Sequence, residues 1–165
     1  MSETARLGLP YILQSQSQKE VTHNSALNRL DVLTGAVVQD RDLAVPPANP
    51  AEGELWIIAS GATGDWAGHD GDLAHFIGGA WAFYSPPGGF GVWIEDETLA
   101  ARWTGSAWEA GILAGTAVKI GCQQVVGAQQ AAIPDATGGS TQDLEARAAV
   151  NALLAACRAH GLILS

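Results

Sequence analysis

Leu55-Trp56-Ile57-Ile58 followed by Leu73-Ala74-His75-Phe76-Ile77-Gly78-Gly79-Ala80-Trp81 decides the fold, because the pattern returns more loosely further on. The echo is Val92-Trp93-Ile94 followed by Leu99-Ala100-Ala101-Arg102-Trp103-Thr104-Gly105-Ser106-Ala107-Trp108. Short apolar runs bounded by turn residues are the pattern of strands. Gly78-Gly79 and Gly105-Ser106 each fall between two such runs, which is the chemistry of a tight hairpin. The copies differ mainly in loop length, and Ala-Trp closes both. Residues 43–111 hold all six Trp and all three Phe and form the expected Trp-rich antiparallel hairpin domain. Alternation with Gly and Ala puts Trp56, Trp81, Trp93 and Trp108 on a common inward face. Trp66, in a Gly/Asp loop, and Trp103 are the candidates for exposure, since contact residues concentrate on loops.

Upstream, residues 1–42 read as an assembly segment. Leu7-Gly8-Leu9-Pro10-Tyr11-Ile12-Leu13 is an extended arm, because Pro10 disfavours helix at its predecessor. The arm cannot cover Leu7, Leu9, Tyr11, Ile12 and Leu13 by itself, so it must lie on the rest of the fold or on a neighbouring subunit. A helix follows from Gln18 to Leu33, with Val21, Ala26, Leu27, Leu30 and Leu33 at roughly helical spacing. Its expected N-cap is Ser17 and its expected stop Gly35. Asn24, Asn28 and Arg29 belong to its polar face.

Downstream, residues 112–165 are expected to form a strand-helix unit. Ala117–Cys122 reads as a strand, and a Gln-rich stretch runs on to Pro134. Ser140 or Thr141 caps a final helix that carries Asp143 and Glu145 in its first turn and Arg158 and His160 near its end. Ala146, Val150, Leu153, Cys157 and His160 share one face. That narrow stripe suits close packing against another helix, within the chain or from a neighbouring copy. The fold class is therefore α+β, mainly β.

Seventeen acids against eight basic residues give a net charge of −9 without a basic cluster, which argues against nucleic acid as a partner. No apolar stretch reaches the roughly 20 residues of a membrane-spanning helix, so membrane insertion is not expected. The start of the chain lacks the basic and apolar regions of a signal peptide, and synthesis in a bacterial cytoplasm is expected. Cys122 and Cys157 lack any paired spacing and read as reduced thiols acting as small hydrophobes.

Walker, Rossmann, GxSxG and metal motifs are missing, so neither a cofactor nor a metal is expected. Asp65, Asp70 and Asp72 lie in a loop rich in oxygen ligands of the kind calcium takes. The loop departs from EF-hand spacing, and Asp and Gly are also ordinary turn residues. Asp65, Asp70, Glu95, Asp96 and Glu97 contain the types needed for a glycosidase pair, yet Glu95-Asp96-Glu97 reads most simply as a solvated turn. We expect no enzyme. Trp66 and Trp103 offer flat faces for sugar stacking, with Asp70 and Asp72 accepting hydroxyl hydrogen bonds.

Arg6-Leu7-Gly8-Leu9-Pro10-Tyr11-Ile12, Gln18-Lys19-Glu20-Val21-Thr22-His23-Asn24-Ser25-Ala26-Leu27, Leu30-Asp31 and Gly53–His69 closely resemble a family of unknown function found in phages, prophages and gene transfer agents. The match covers about the first 110 residues, and the Gln-Lys-Glu-Val-Thr-His-Asn stretch is its most specific part. Segments between Val125 and Ile163 resemble a module that ends many such proteins. The resemblance implies a structural, attachment-promoting component of a phage-like particle, either a head-spike base or a tail-fibre adaptor, assembled in the bacterial cytoplasm. It also implies capsid, spike or fibre proteins as partners, together with contact to host surface polysaccharide. No catalytic residue is carried over. A cyclic homo-oligomer follows, a pentamer at a capsid vertex or a trimer on a fibre. The alternatives are a carbohydrate-binding module acting directly on capsule or lipopolysaccharide and, third, a small glycan depolymerase.

Overall fold

A computed structural model describes residues 2–12, 19–139, 143–160 and 162–164. The expected caps Ser17, Ser140 and Thr141, and the arm residue Leu13, lie outside them. The chain divides into two compact units, Met1–Ile112 and Leu113–Ser165.

The repeat takes shape in the first unit as two three-stranded antiparallel meanders. One contains β2 (Leu55–Ile57), β3 (Leu73–Ile77) and β4 (Ala80–Tyr84); the other contains β5 (Gly91–Ile94), β6 (Leu99–Trp103) and β7 (Trp108–Ala110). Between them in sequence the loop lengths differ as expected: residues 58–72 join β2 to β3, whereas 95–98 suffice for β5 to β6. The β3–β4 hairpin pairs Ile77 with Ala80 across Gly78-Gly79, both at positive φ (62° and 75°), as a type I′ turn demands. A short β1 (Val37–Val38) adds parallel to the edge of the second meander, pairing Val37 with Trp93. The fold is thus α+β and mainly β, with α1 (Lys19–Leu33) before the sheets.

Strand alternation sorts the side chains into two cores. Leu55, Ile57 and Leu73 join Val32, Val38, Val92, Ile94 and Ala101 in one. Their neighbours Trp56, Ile58 and Ala74 point to the other, where Trp66 meets them from the loop. Trp81 meets both Trp56 and Trp66 edge to face, with ring centroids 5.3 and 5.2 Å away, and Trp56 and Trp66 are tilted at 48° to each other. Such tilted contacts suit the ring quadrupole. Two expectations change places here. Trp66 is fully buried (0% exposed), because the turn Gly64–Trp66 folds its ring onto Trp56. Trp93 is 42% exposed, because β5 turns Val92 and Ile94 inward and its alternate residues outward. Trp81 and Trp108 are half-buried.

In the second unit, β8 (Val118–Ile120) and β9 (Gln123–Val126) form a hairpin whose two-residue turn is Gly121-Cys122, both at positive φ. Cys122 is consequently exposed at the tip rather than a buried thiol, while Cys157 is half-buried. The final helix, α2 (Leu144–Ala159), is capped by Asp143, whose side chain accepts the Ala146 amide at 2.8 Å. Arg158 in its last turn pairs with Asp135 at 2.7 Å.

Candidate functional site

Two places in the first unit gather the sequence-predicted site residues. In one, the N-terminal arm is clamped onto α1. Asn24, Asn28 and Asp31 follow each other at four- and three-residue spacing, so they stack on one helix face. Each takes hold of the arm. The Asn24 amide exchanges two hydrogen bonds with the backbone of Ile12, accepting its N–H at 3.0 Å and donating to its carbonyl at 3.2 Å. The Tyr11 hydroxyl donates to Asn28 Oδ1. The buried Asp31 carboxylate accepts from the Thr4 hydroxyl at 2.8 Å and from the amides of Arg6 at 3.0 Å and Leu7 at 2.6 Å.

Arg6 completes the clamp from the other side. Its guanidinium donates to the Asp31 carbonyl and, at 2.8 Å, to the Gly35 carbonyl. Those carbonyls sit at the C-terminal end of α1, where acceptors lack helical partners and a cation is favoured. Gly35, at φ 57°, ends the helix as expected. Behind the arm, Gly53 is buried and leaves no room for a side chain: a Cβ there would lie 2.7 Å from that of Ala5.

The clamp rotates α1 from the orientation its apolar spacing suggests. Asp31, Val32 and half-buried Leu27, Asn28 and Leu33 face inward, whereas Val21 (63%) and Leu30 (53%) are exposed. On the arm, Leu9 and Tyr11 are half-buried, while Leu7 (47%) and Ile12 (40%) are exposed. The arm thus lies on its own chain and presents part of its apolar surface outward.

The second place is a cleft of about 410 Å³ lined by Arg41, Asp42, Ser60, Asp70, Trp103 and Trp108, among others. Trp103 comes from the end of β6 and Trp108 from the start of β7, so their pairing across the hairpin sets the two rings 5.4 Å apart. The Trp108 indole N–H donates to the Gly71 carbonyl at 2.9 Å, and a methyl at Gly71 would come within 3.1 Å of the Trp103 ring. Asp70 accepts the amides of Gly61 (2.9 Å) and Ala62 (3.0 Å), and these two hydrogen bonds hold its carboxyl below the usual range. Arg41 is already paired with Glu97 from the β5–β6 turn, leaving Asp42 and Asp70 to set the sign of the wall.

Of the four residues expected to bind glycan, the fold brings Trp103 and Asp70 into this cleft. Trp66 is a correction, locked in the aromatic core for the reason given above. Asp72 does not line the cleft; it accepts from Ser85 Oγ at 2.7 Å and bonds His69 Nδ1 at 3.0 Å. Of the three carboxylates that read as calcium ligands, Asp65, Asp70 and Asp72, the latter two are engaged in these internal bonds. Among the described residues no three His, Cys, Asp or Glu side chains gather as a metal site. On α2, Val150 and Leu153 are exposed and Cys157 half-buried.

The fold and these two sites define a mainly β domain with a self-clamped arm. Residues 23–109, more than half of the chain, match the family described as a protein of unknown function, DUF2793, and the chain belongs to that family. The matched span takes in most of α1 and both meanders. No curated protein matches the chain.

Proposed function

We propose that this protein is a non-catalytic structural component of a phage-like particle, a head-spike base or fibre adaptor that promotes adhesion to the host surface. The observation that carries the reading is the clamped arm: hydrogen bonds to Asp31, Asn24 and Asn28 and from Arg6 fix a segment whose Leu7 and Ile12 stay exposed, as does Val21 of α1. Fixing apolar side chains at a surface removes the ordering cost a partner would otherwise meet, which favours a permanent docking face. A neighbouring capsid, spike or fibre protein is the partner that this face serves. The acidic charge suits a particle surface and is unfavourable for nucleic acid. The test is to substitute the outward side chains, Leu7→Asp with Val21→Asp, and leave the clamp intact. The variant should fold and be lost from particles; retention at the normal ratio would overturn the proposal.

The Trp103 cleft favours a second reading, direct binding of host polysaccharide. Aromatic faces beside carboxylates suit a hydroxyl-rich, uncharged sugar, and repeated copies would raise a weak affinity through avidity. The Asp70 carboxyl, held below the usual range by two amides, suits accepting hydrogen bonds from sugar hydroxyls. Glycan-array binding that is lost in Trp103→Ala tests this reading, and an array without signal would refute it.

A further inference from the structure

The second unit, Leu113–Ser165, is hydrogen-bonded but hardly packed. Every residue of β8 and β9 is exposed, α2 has no buried residue, and Ile163 is the one buried hydrophobic side chain described in the unit. What holds it together is polar: Gln130 bridges both Leu162 and Leu164, the Ala136 amide donates to Asn151, and Arg158 pairs with Asp135. A lone two-stranded hairpin is marginal in water, and so is a single helix of this length. Meanwhile Ile120 (69%), Leu144 and Leu153 (65%) stand in solvent. Ten aliphatic side chains described between Val118 and Leu164 are exposed, enough apolar surface from which to draw the roughly 800 Å² that each partner contributes to a standard interface.

Charge indicates what covers this surface. The first unit has fourteen acidic and five basic residues and therefore carries the whole net charge of −9. The second has three of each: Asp135, Asp143, Glu145, Lys119, Arg147 and Arg158. Four of them are engaged locally, Asp135 with Arg158, Asp143 as the helix cap and Arg147 on the Gly138 carbonyl. A foreign partner drawn by charge would be basic and would meet its complement on the first unit. A neutral apolar surface can face its own copy without repulsion.

We infer that the second unit is the self-association module of this protein, with α2 and the β8–β9 hairpin buried against the same unit of other copies. The inference deepens the particle reading by assigning the homo-oligomer to one part of the chain. It is tested on the free protein, so its failure would leave that reading to be judged by particle composition. Sedimentation velocity of the full chain at micromolar concentration should show an oligomer. Leu153→Asp should sediment as monomer, and the milder Leu153→Gln should weaken association by roughly 30-fold. All six Trp lie in the first unit, so unchanged Trp emission shows that unit intact. Val45→Asp, at an exposed side chain of the first unit that belongs to neither proposed site, should keep the wild-type mass. A monomeric wild type, an oligomer that survives Leu153→Asp, or an oligomer lost in Val45→Asp alone would each overturn the inference.

Discussion

Replacing Asp31 by Ala should release the arm, and the size of the effect follows from what its carboxylate holds. Its loss strands the buried Thr4 hydroxyl and the amides of Arg6 and Leu7. A hydrogen bond to a charged group contributes about 1.5–3 kcal/mol, and water can reach the two partly exposed amides once the arm lifts, so we expect about 3 kcal/mol in total. That is a large share of the roughly 5–15 kcal/mol by which a domain is stable. For a unit of this size it corresponds to a fall in melting temperature of about 12 °C. Thermal unfolding followed by Trp emission reads the first unit, and hydrogen exchange at Arg6 and Leu7 reads the arm. A loss within about 1 kcal/mol of zero, with those amides still protected, would refute the clamp.

His75 is fully buried, and neither ring nitrogen has a hydrogen-bond partner among the described residues. Burial pushes its pKa below the usual 6.5, and the charges of Asp31, Arg6 and Glu52 modulate the shift. Between the depressed native value and 6.5 the unfolded chain binds a proton that the native chain does not. Stability is therefore complete above that window and falls as pH drops through it, by up to about 1.4 kcal/mol per pH unit. Denaturant titrations should show this slope, and His75→Leu should flatten it; an equal slope in the variant would contradict the assignment. Trp66→Ala should cost about 3–5 kcal/mol as a core truncation, measured by urea unfolding, and a near-neutral result would return Trp66 to the surface. Asp143→Ala should remove the cap of α2 at about 1 kcal/mol, seen as reduced helical circular dichroism, and unchanged helicity would show the cap to be dispensable.

The hairpins were legible because turn chemistry and strand period are local: Gly78-Gly79 fixed one turn, and the Glu95-Asp96-Glu97 stretch does link β5 to β6. The phase of α1 was not. Counting apolar residues put Val21 and Leu30 inside, whereas the helix face is set by Asn24, Asn28 and Asp31, whose partners lie twelve to twenty-seven residues away. Their regular spacing, within and beside the stretch most specific in the family resemblance, was the available signal. Trp66 misled for a related reason. A Gly/Asp loop suggests solvent, but the long β2–β3 connection folds back as a lid over one face of its own sheet. The cleft joins Arg41, Ser60 with Asp70 of the β2–β3 connection, and Trp103 from three separate segments, and nothing in the linear spacing announces that convergence.

The composition of purified particles tests the central claim most directly. Particles from cells carrying the wild-type gene, quantified by mass spectrometry against the major capsid protein, should contain the chain at a fixed small-integer multiple of a three- or five-fold arrangement. Particles from cells carrying Leu7→Asp with Val21→Asp should lack it while the soluble variant persists. Absence of the wild-type chain from particles, or full retention of the variant, would contradict the account.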